Sequence, residues 1–246
     1  MKKKLSAHLY GLFIILVLWY ILSYSVDQRL IPPPHEVLIL FGSLVMKGTI
    51  ILHALYSLMR FVCAILLALL PAIPLGIAAG VLPRADRLLS PVVYLLFPLP
   101  KIAFLPIFMV LFGLGDLSKI LLLWTVIVFQ LLIAVRDGVK SIPAEYHIAA
   151  DTLGLSPGRK FLKLYLPSTI PSLFSALRIS VGIGMAVLFF AENYATSYGL
   201  GYFIMNSWVM INYPMMFSGI LALGLLSYLL LSCLDMIETR LCPWND

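Results

Sequence analysis

Two charged side chains interrupt long apolar runs and are the residues best placed to act on a passing solute. Lys101 is the one charge within residues 88–115, and Glu192 closes the run 173–194, which has Arg178 near its other end. The chemistry open to them is noncovalent. An ammonium group facing a water path can stabilise a passing anion, and a carboxylate near the outer mouth of a span can shape a gate or bond to the stretch 199–202. The plainer alternatives are a lysine that snorkels to the membrane surface from a tilted helix and an ordinary interfacial acid. Covalent and metal chemistry lack their components. His8, His35, His53 and His147 are dispersed without ligand spacing, Cys63, Cys233 and Cys242 are odd in number, and no Ser/His/Asp set or carboxylate pair converges. Neither Gly158-Arg159-Lys160 nor residues 113–119 completes the Gly-x-x-x-x-Gly-Lys-Ser/Thr loop that cradles phosphates.

The elements that must position these residues are membrane spans. Of 246 residues, 62% are apolar and 11% charged, against roughly 45–50% and 25% in soluble domains. A soluble chain with this composition would have too few charges to wet its exterior. Runs near the ~20 residues needed to cross a bilayer fall at 5–26, 61–83, 88–115, 120–135, 173–194 and 215–234, so six transmembrane helices are expected. The first is too long for a removable signal core and reads as a retained anchor. The third contains Pro91, Pro98, Pro100 and Pro106 and should be kinked or broken. Ala72, Gly76 and Gly80 form a ridge of small residues suited to close helix packing, with a dimer surface as the less favoured use. Trp208, Tyr202 and Tyr213 read as interfacial anchors.

With the N-terminus inside, twelve of the 17 basic residues fall in inner segments and four (Arg29, Lys47, Arg60 and Lys119) in outer ones. This bias places both termini in the cytoplasm. Pro32, Pro33 and Pro34 form a stiff linker after the first span. Residues 1–43 are therefore expected to be a peripheral transmembrane helix with an external linker, and 44–246 a core of five spans. Periodicity does not choose whether residues 37–57 lie in the interface or extend the second span outward.

The longest inner segment, 136–178, is basic and amphipathic. Pro143, Ala144 and Glu145 make a good helix start, while Gly154, Pro157 and Gly158 provide a stop and a turn. The segment should form a compact projection whose apolar residues need a partner. Arg159, Lys160 and Lys163 form a basic cluster suited to anionic lipid heads, and no nucleic-acid-binding pattern accompanies it.

Within this segment, Ile148-Ala149-Ala150-Asp151-Thr152-Leu153-Gly154 followed by Leu164-Tyr165-Leu166-Pro167 resembles the EAA loop of permease subunits of ATP-binding-cassette (ABC) importers. Ala149, Ala150, Gly154, Leu164, Leu166 and Pro167 keep the pattern's spacing. Ile148 departs from it, standing where the family often has Glu, and Glu145 lies one turn earlier on roughly the same face. Residues 99–106 with 112–115, Ala191-Glu192 with 199–202, and the tail 238–244 resemble permeases of the nitrate/sulfonate/taurine type. The resemblance covers about residues 50–244.

It implies an all-α, polytopic fold of the type I ABC importer permease. It also implies a dimeric pore in the bacterial inner membrane, fed by an extracytoplasmic binding protein and driven by two cytoplasmic ATPase subunits. Glu145, Ile148, Ala149, Ala150, Gly154, Leu164, Leu166 and Pro167 would be the ATPase-coupling residues, with Lys101 and Glu192 as pathway candidates. ATP would be hydrolysed by a partner, leaving this chain without cofactor or enzymatic activity. Nitrate, alkanesulfonates, taurine and thiamine-related pyrimidines are compatible cargoes. An ion-coupled secondary transporter or channel is the alternative, but it would be expected to show mid-span ionisable groups or an inverted repeat, and only Lys101 qualifies.

Overall fold

The computed structural model describes residues 2–243, with side chains from Tyr10 onward. Trp244 of the tail pattern, Met1 and the last two residues lie outside the described part. The described residues are helical with no strand. Helix α1 spans Lys2–Ser25, and α2, Pro34–Met46, begins where Pro33 is extended and Pro34 takes the first helical position. That position loses nothing by lacking an N–H. Gly48, at φ +76, turns the chain into α3, Thr49–Val81. Residues 37–57 are thus divided between a short separate helix and the first turns of a long one.

Helix α4, Pro83–Leu96, is followed by a 3-10 turn at Lys101–Phe104 and α5, Leu105–Phe112. The two arms meet at 85°. Pro98 and Pro100 cannot continue a helical ladder, so the expected broken span takes the form of an elbow. Then come α6, Asp116–Lys140, and α7, Ala144–Thr152. α8, Pro157–Lys160, continues through a π-helical turn, Phe161–Tyr165, into α9, Leu166–Ala191. Pro167 has no N–H for the carbonyl one turn back, and the wide turn just before it accommodates the mismatch. α10, Leu200–Val209, and α11, Tyr213–Leu241, complete the chain.

Four helices among the described residues are long and apolar enough to cross a membrane: Thr49–Val81, Asp116–Lys140, Pro157–Ala191 and Tyr213–Leu241. The elbow makes a fifth if its arms count as one span.

The chain packs as two compact units, one made of residues up to Ser57 with Glu192–Leu225, the other of Leu58–Ala191 with the chain from Leu226. In the first unit, Trp19 donates to the Pro32 carbonyl at 3.1 Å and stacks on Phe217, while Ser23 donates to Ile31 at 2.8 Å. These bonds answer backbone groups of the proline-stiffened linker.

In the second unit, α6 is the central helix, and Leu122, Leu123, Ile127, Leu131 and Val135 are wholly buried. Gly76 and Gly80 of α3 lie directly against Val135 and Val139, and a Cβ on either would come within 2.8 and 2.4 Å of them. The small-residue ridge is therefore used for packing within the chain. Arg60 and Lys119, counted above as outer charges, are buried. Arg60 bonds Asp116 through Nε at 2.8 Å, and the Lys119 ammonium donates to the Leu114 and Gly115 carbonyls at 3.1 and 3.2 Å. Both act as internal struts, a role that counting charges along the sequence does not detect.

Candidate functional site

Three arrangements bring together the residues singled out in the sequence. The first is a projection built on α7. Pro143 leads into the helix, and Glu145 lies in its first turn, where an acid meets the positive end of the helix dipole. Its end is a paired reversal. Gly154 N–H donates to Asp151 at 2.9 Å and Leu155 N–H reaches back to Ala150 at 3.1 Å, with Gly154 at φ +64. That bond pair with a left-handed residue is the Schellman stop, which favours glycine because a Cβ there crowds the backbone.

On this helix Ile148 is 65% exposed and Leu153 76%, whereas Ala150 is 5% exposed. Ala149 and Glu145 are exposed, Leu164 is buried, and Leu166 and Pro167 are half-buried. The two alanines therefore differ: Ala149 faces outward, and bulk at Ala150 would first disturb the projection's own packing. The Lys160 ammonium pairs with Asp151, and the His147 and Tyr165 rings lie 5.8 Å apart, tying the helix to the segment after the turn.

The second arrangement runs along α6 and α9. Two adjoining grooves of about 700 and 650 Å³ share Phe97 and Gln130. Lys101 lines the larger, together with Gly182, Ala186 and Phe190 of α9. Its ammonium also donates to the Leu96 and Phe97 carbonyls at the end of α4 and lies 5.6 and 5.5 Å from the Phe97 and Phe129 ring centres. A cation at the last carbonyls of a helix complements the helix dipole, so Lys101 secures the elbow as well as lining the groove. Gln130 accepts from Ser180 at 2.6 Å, joining α6 to α9 beside the groove.

The third arrangement surrounds Glu192, which is fully buried. Ser57 donates to both carboxylate oxygens at 2.9 Å and accepts from Leu200 N–H at 2.8 Å. Gly201 N–H donates to Glu192 Oε2 at 2.8 Å, and Gly199 N–H donates to His53 Nδ1 at 3.1 Å. The carboxylate thus sits at the N-terminus of α10, where free backbone donors and the positive dipole end favour an anion. Gly199, at φ +126, passes so close that a Cβ would lie 2.3 Å from the carboxyl carbon. The bond to the 199–202 stretch is the one weighed from the sequence. Ser57 and His53 were not anticipated, since they lie 135 and 146 residues from their partners.

Farther along the second unit, Asp86 accepts from Ser90 at 2.7 Å and Lys140 at 2.5 Å, while Arg136 bonds Asp137 and Ser90 at 2.9 and 3.0 Å. Arg178 pairs with Asp235 and Glu238. Among the described residues no group of His, Cys, Asp and Glu could hold a metal ion.

Among the described residues, the long apolar helices, with a proline elbow and the α7 projection between them, define a multi-pass helical membrane protein. The chain belongs to the family described as binding-protein-dependent transport system inner membrane component, which matches residues 72–244. The taurine transport system permease protein of Escherichia coli (strain K12) is 29% identical over all of this chain and 92% of its own length. The nitrate import permease protein of Leptolyngbya laminosa is 30% identical over 76% of this chain and 67% of its own. A chain from inward-facing structures of the MetNI methionine ABC transporter superposes with a TM-score of 0.67, covering 77% of this chain and 94% of that one at 19% identity. The fold is that of an ABC importer permease, and transport is the function of the family.

Proposed function

We propose that this chain forms the substrate pathway of an ABC importer for a small anionic or zwitterionic solute of the nitrate, sulfonate or taurine kind. The names of the related permeases support the cargo class. The observation that carries the coupling role is the α7 projection, whose backbone is closed on itself at Gly154 while Ile148 and Leu153 stand out exposed. Such a shape offers anchors to a groove on a partner.

In this reading two copies of the chain line the path and α1 adds a sixth span. Residues 1–43 are peripheral to the core of 44–246, and both termini are cytoplasmic. Two ATPase subunits dock on Glu145, Ile148, Ala149, Ala150 and Gly154, supported by Leu164, Leu166 and Pro167. ATP is hydrolysed in those subunits, and the present chain neither binds a cofactor nor catalyses a reaction. An extracytoplasmic binding protein delivers the solute. Lys101 offers a cation beside the groove, and Glu192 shapes closure at the outer end of the path. ATPase closure moves the projections and reorients the attached spans, a two-state change biased by a ligand bound on another chain.

Co-purification with the cognate ATPase tests the docking. Ile148→Asp with Leu153→Asp should leave membrane abundance unchanged, because both side chains are exposed, yet recover little ATPase and abolish ATP-dependent uptake. Normal pairing and uptake in the double variant would defeat the assignment.

A further inference from the structure

We propose that the crevice between α3 and the start of α8 binds one acyl chain of an anionic phospholipid, with Lys160 holding the headgroup phosphate. The crevice has a volume of about 400 Å³ and is lined by Ile77, Ala78, Val81, Pro157 and Phe161, with Lys160 among its walls. It exists for a local reason. Ala78 and Pro157 present little side chain, and Phe161 opens the π-helical turn, so neighbouring side chains leave the space unfilled. Lys160 and Tyr165 are the polar side chains on its walls and the rest of the lining is apolar, so most of its surface offers water no partner. A hydrocarbon chain from the surrounding bilayer fills it at no desolvation cost.

Charge selects the headgroup. Lys160 has three N–H donors, and its pairing with exposed Asp151 leaves donors for a phosphate oxygen. Arg159 and Lys163 flank it in sequence and are exposed, and exposed Arg84 follows the lining residue Leu82 by two positions. Asp86, four positions after Leu82, is held by Lys140 and Ser90. The rim is therefore net basic, and each basic group near a bilayer surface favours anionic over neutral lipid by about 1 kcal/mol. The inference needs neither the membrane orientation nor the docking of an ATPase, since it rests on the crevice and its rim alone.

Native mass spectrometry of the complete importer, purified in mild detergent and offered equal phosphatidylglycerol and phosphatidylcholine, tests it. The wild type should retain one phosphatidylglycerol per permease chain in preference to phosphatidylcholine. Lys160→Gln should reduce that preference about fivefold, the equivalent of one surface cation. Ala78→Phe fills the crevice and should abolish retention with Lys160 in place. If Ala78→Phe is poorly recovered, Ala78→Leu serves the same end. Equal retention of both lipids, or retention indifferent to both substitutions, would overturn the proposal. So would release of the lipid by inorganic phosphate alone, which would mark a simple anion site. Retention seen only when the ATPase has been stripped off would assign the crevice to that partner instead.

Discussion

The Glu192 clasp and the α7 projection satisfy their polar groups in opposite settings. Around Glu192, a carboxylate, a hydroxyl and three backbone N–H groups are drawn into a buried set of bonds, and Gly199 leaves no room for a methyl group. At α7 the backbone is closed by two short-range bonds at Gly154, the space beside that glycine is open, and large apolar side chains face outward. The first arrangement is long-range and intolerant, because any donor that loses its partner stays buried. The second is local and tolerant, because its conformation is set within a dozen residues while its faces are left for another molecule. Stability is therefore concentrated where the side chains are hidden, and recognition where the backbone looks after itself.

The largest effect should come from breaking the clasp. Glu192→Ala removes the carboxylate to which the Ser57 hydroxyl and the Gly201 N–H donate, at a cost of roughly 1–3 kcal/mol for each buried hydrogen bond lost. We expect strongly reduced recovery of folded protein, measured as monodisperse material after detergent extraction. Glu192→Gln keeps one acceptor oxygen and should lie between the two. Equal recovery of wild type and Glu192→Ala would show that the clasp contributes little to folding and would erase the contrast with the projection.

The same contrast explains which features could be read from the sequence. The projection was legible because it is local: Pro143, Glu145, Gly154 and Pro157 carry its start and stop within a short stretch. The broken span was legible because prolines act on their own backbone, although the 85° of the elbow depends on what packs around it. The ridge at Gly76 and Gly80 could be read as packing, but its partners Val135 and Val139 belong to a helix 59 residues away in sequence, which no local pattern identifies. Ser57 and His53 were silent for the same reason, each being an ordinary polar residue until the fold sets it against a distant segment. Arg60 looked like a loop charge because its partner Asp116 lies 56 residues away, and Lys119 because its burial is set by what packs around it, although the Leu114 and Gly115 carbonyls it bonds are close in sequence.

A smaller effect should follow at Gly154, and it sharpens the comparison by separating backbone strain from contact. Its surroundings would accept a side chain, so only the left-handed φ of +64 is at issue. Gly154→Val should cost about 1–2 kcal/mol, since a β-branched residue is poorly tolerated there, while Gly154→Asn should be nearly neutral. Resistance of the loop to limited proteolysis and ATPase recovery should both fall in the order wild type, Asn, Val, with the spans intact. Identical behaviour of Val and Asn would mean that the reversal is held by something other than glycine's freedom.

The smallest effect is expected at Lys101, which belongs wholly to neither kind of region. Its ammonium is used by the carbonyls at the end of α4, as in a local cap, yet it lies on the wall of a groove, as a recognition residue would. Removing a cap of this kind costs about 0.3–1 kcal/mol where water can compensate. Lys101→Gln keeps a donor for one carbonyl, so folding should barely change. The charge itself is lost, and uptake of an anionic solute should slow severalfold with membrane abundance and ATPase pairing preserved. Lys101→Arg retains the charge and should retain most of the rate. If Gln and Arg slow uptake equally, the geometry of the cap controls the elbow and the charge is incidental. If neither does, Lys101 is an anchor of the elbow alone, and the groove must favour its cargo through neutral groups such as the Gln130 amide.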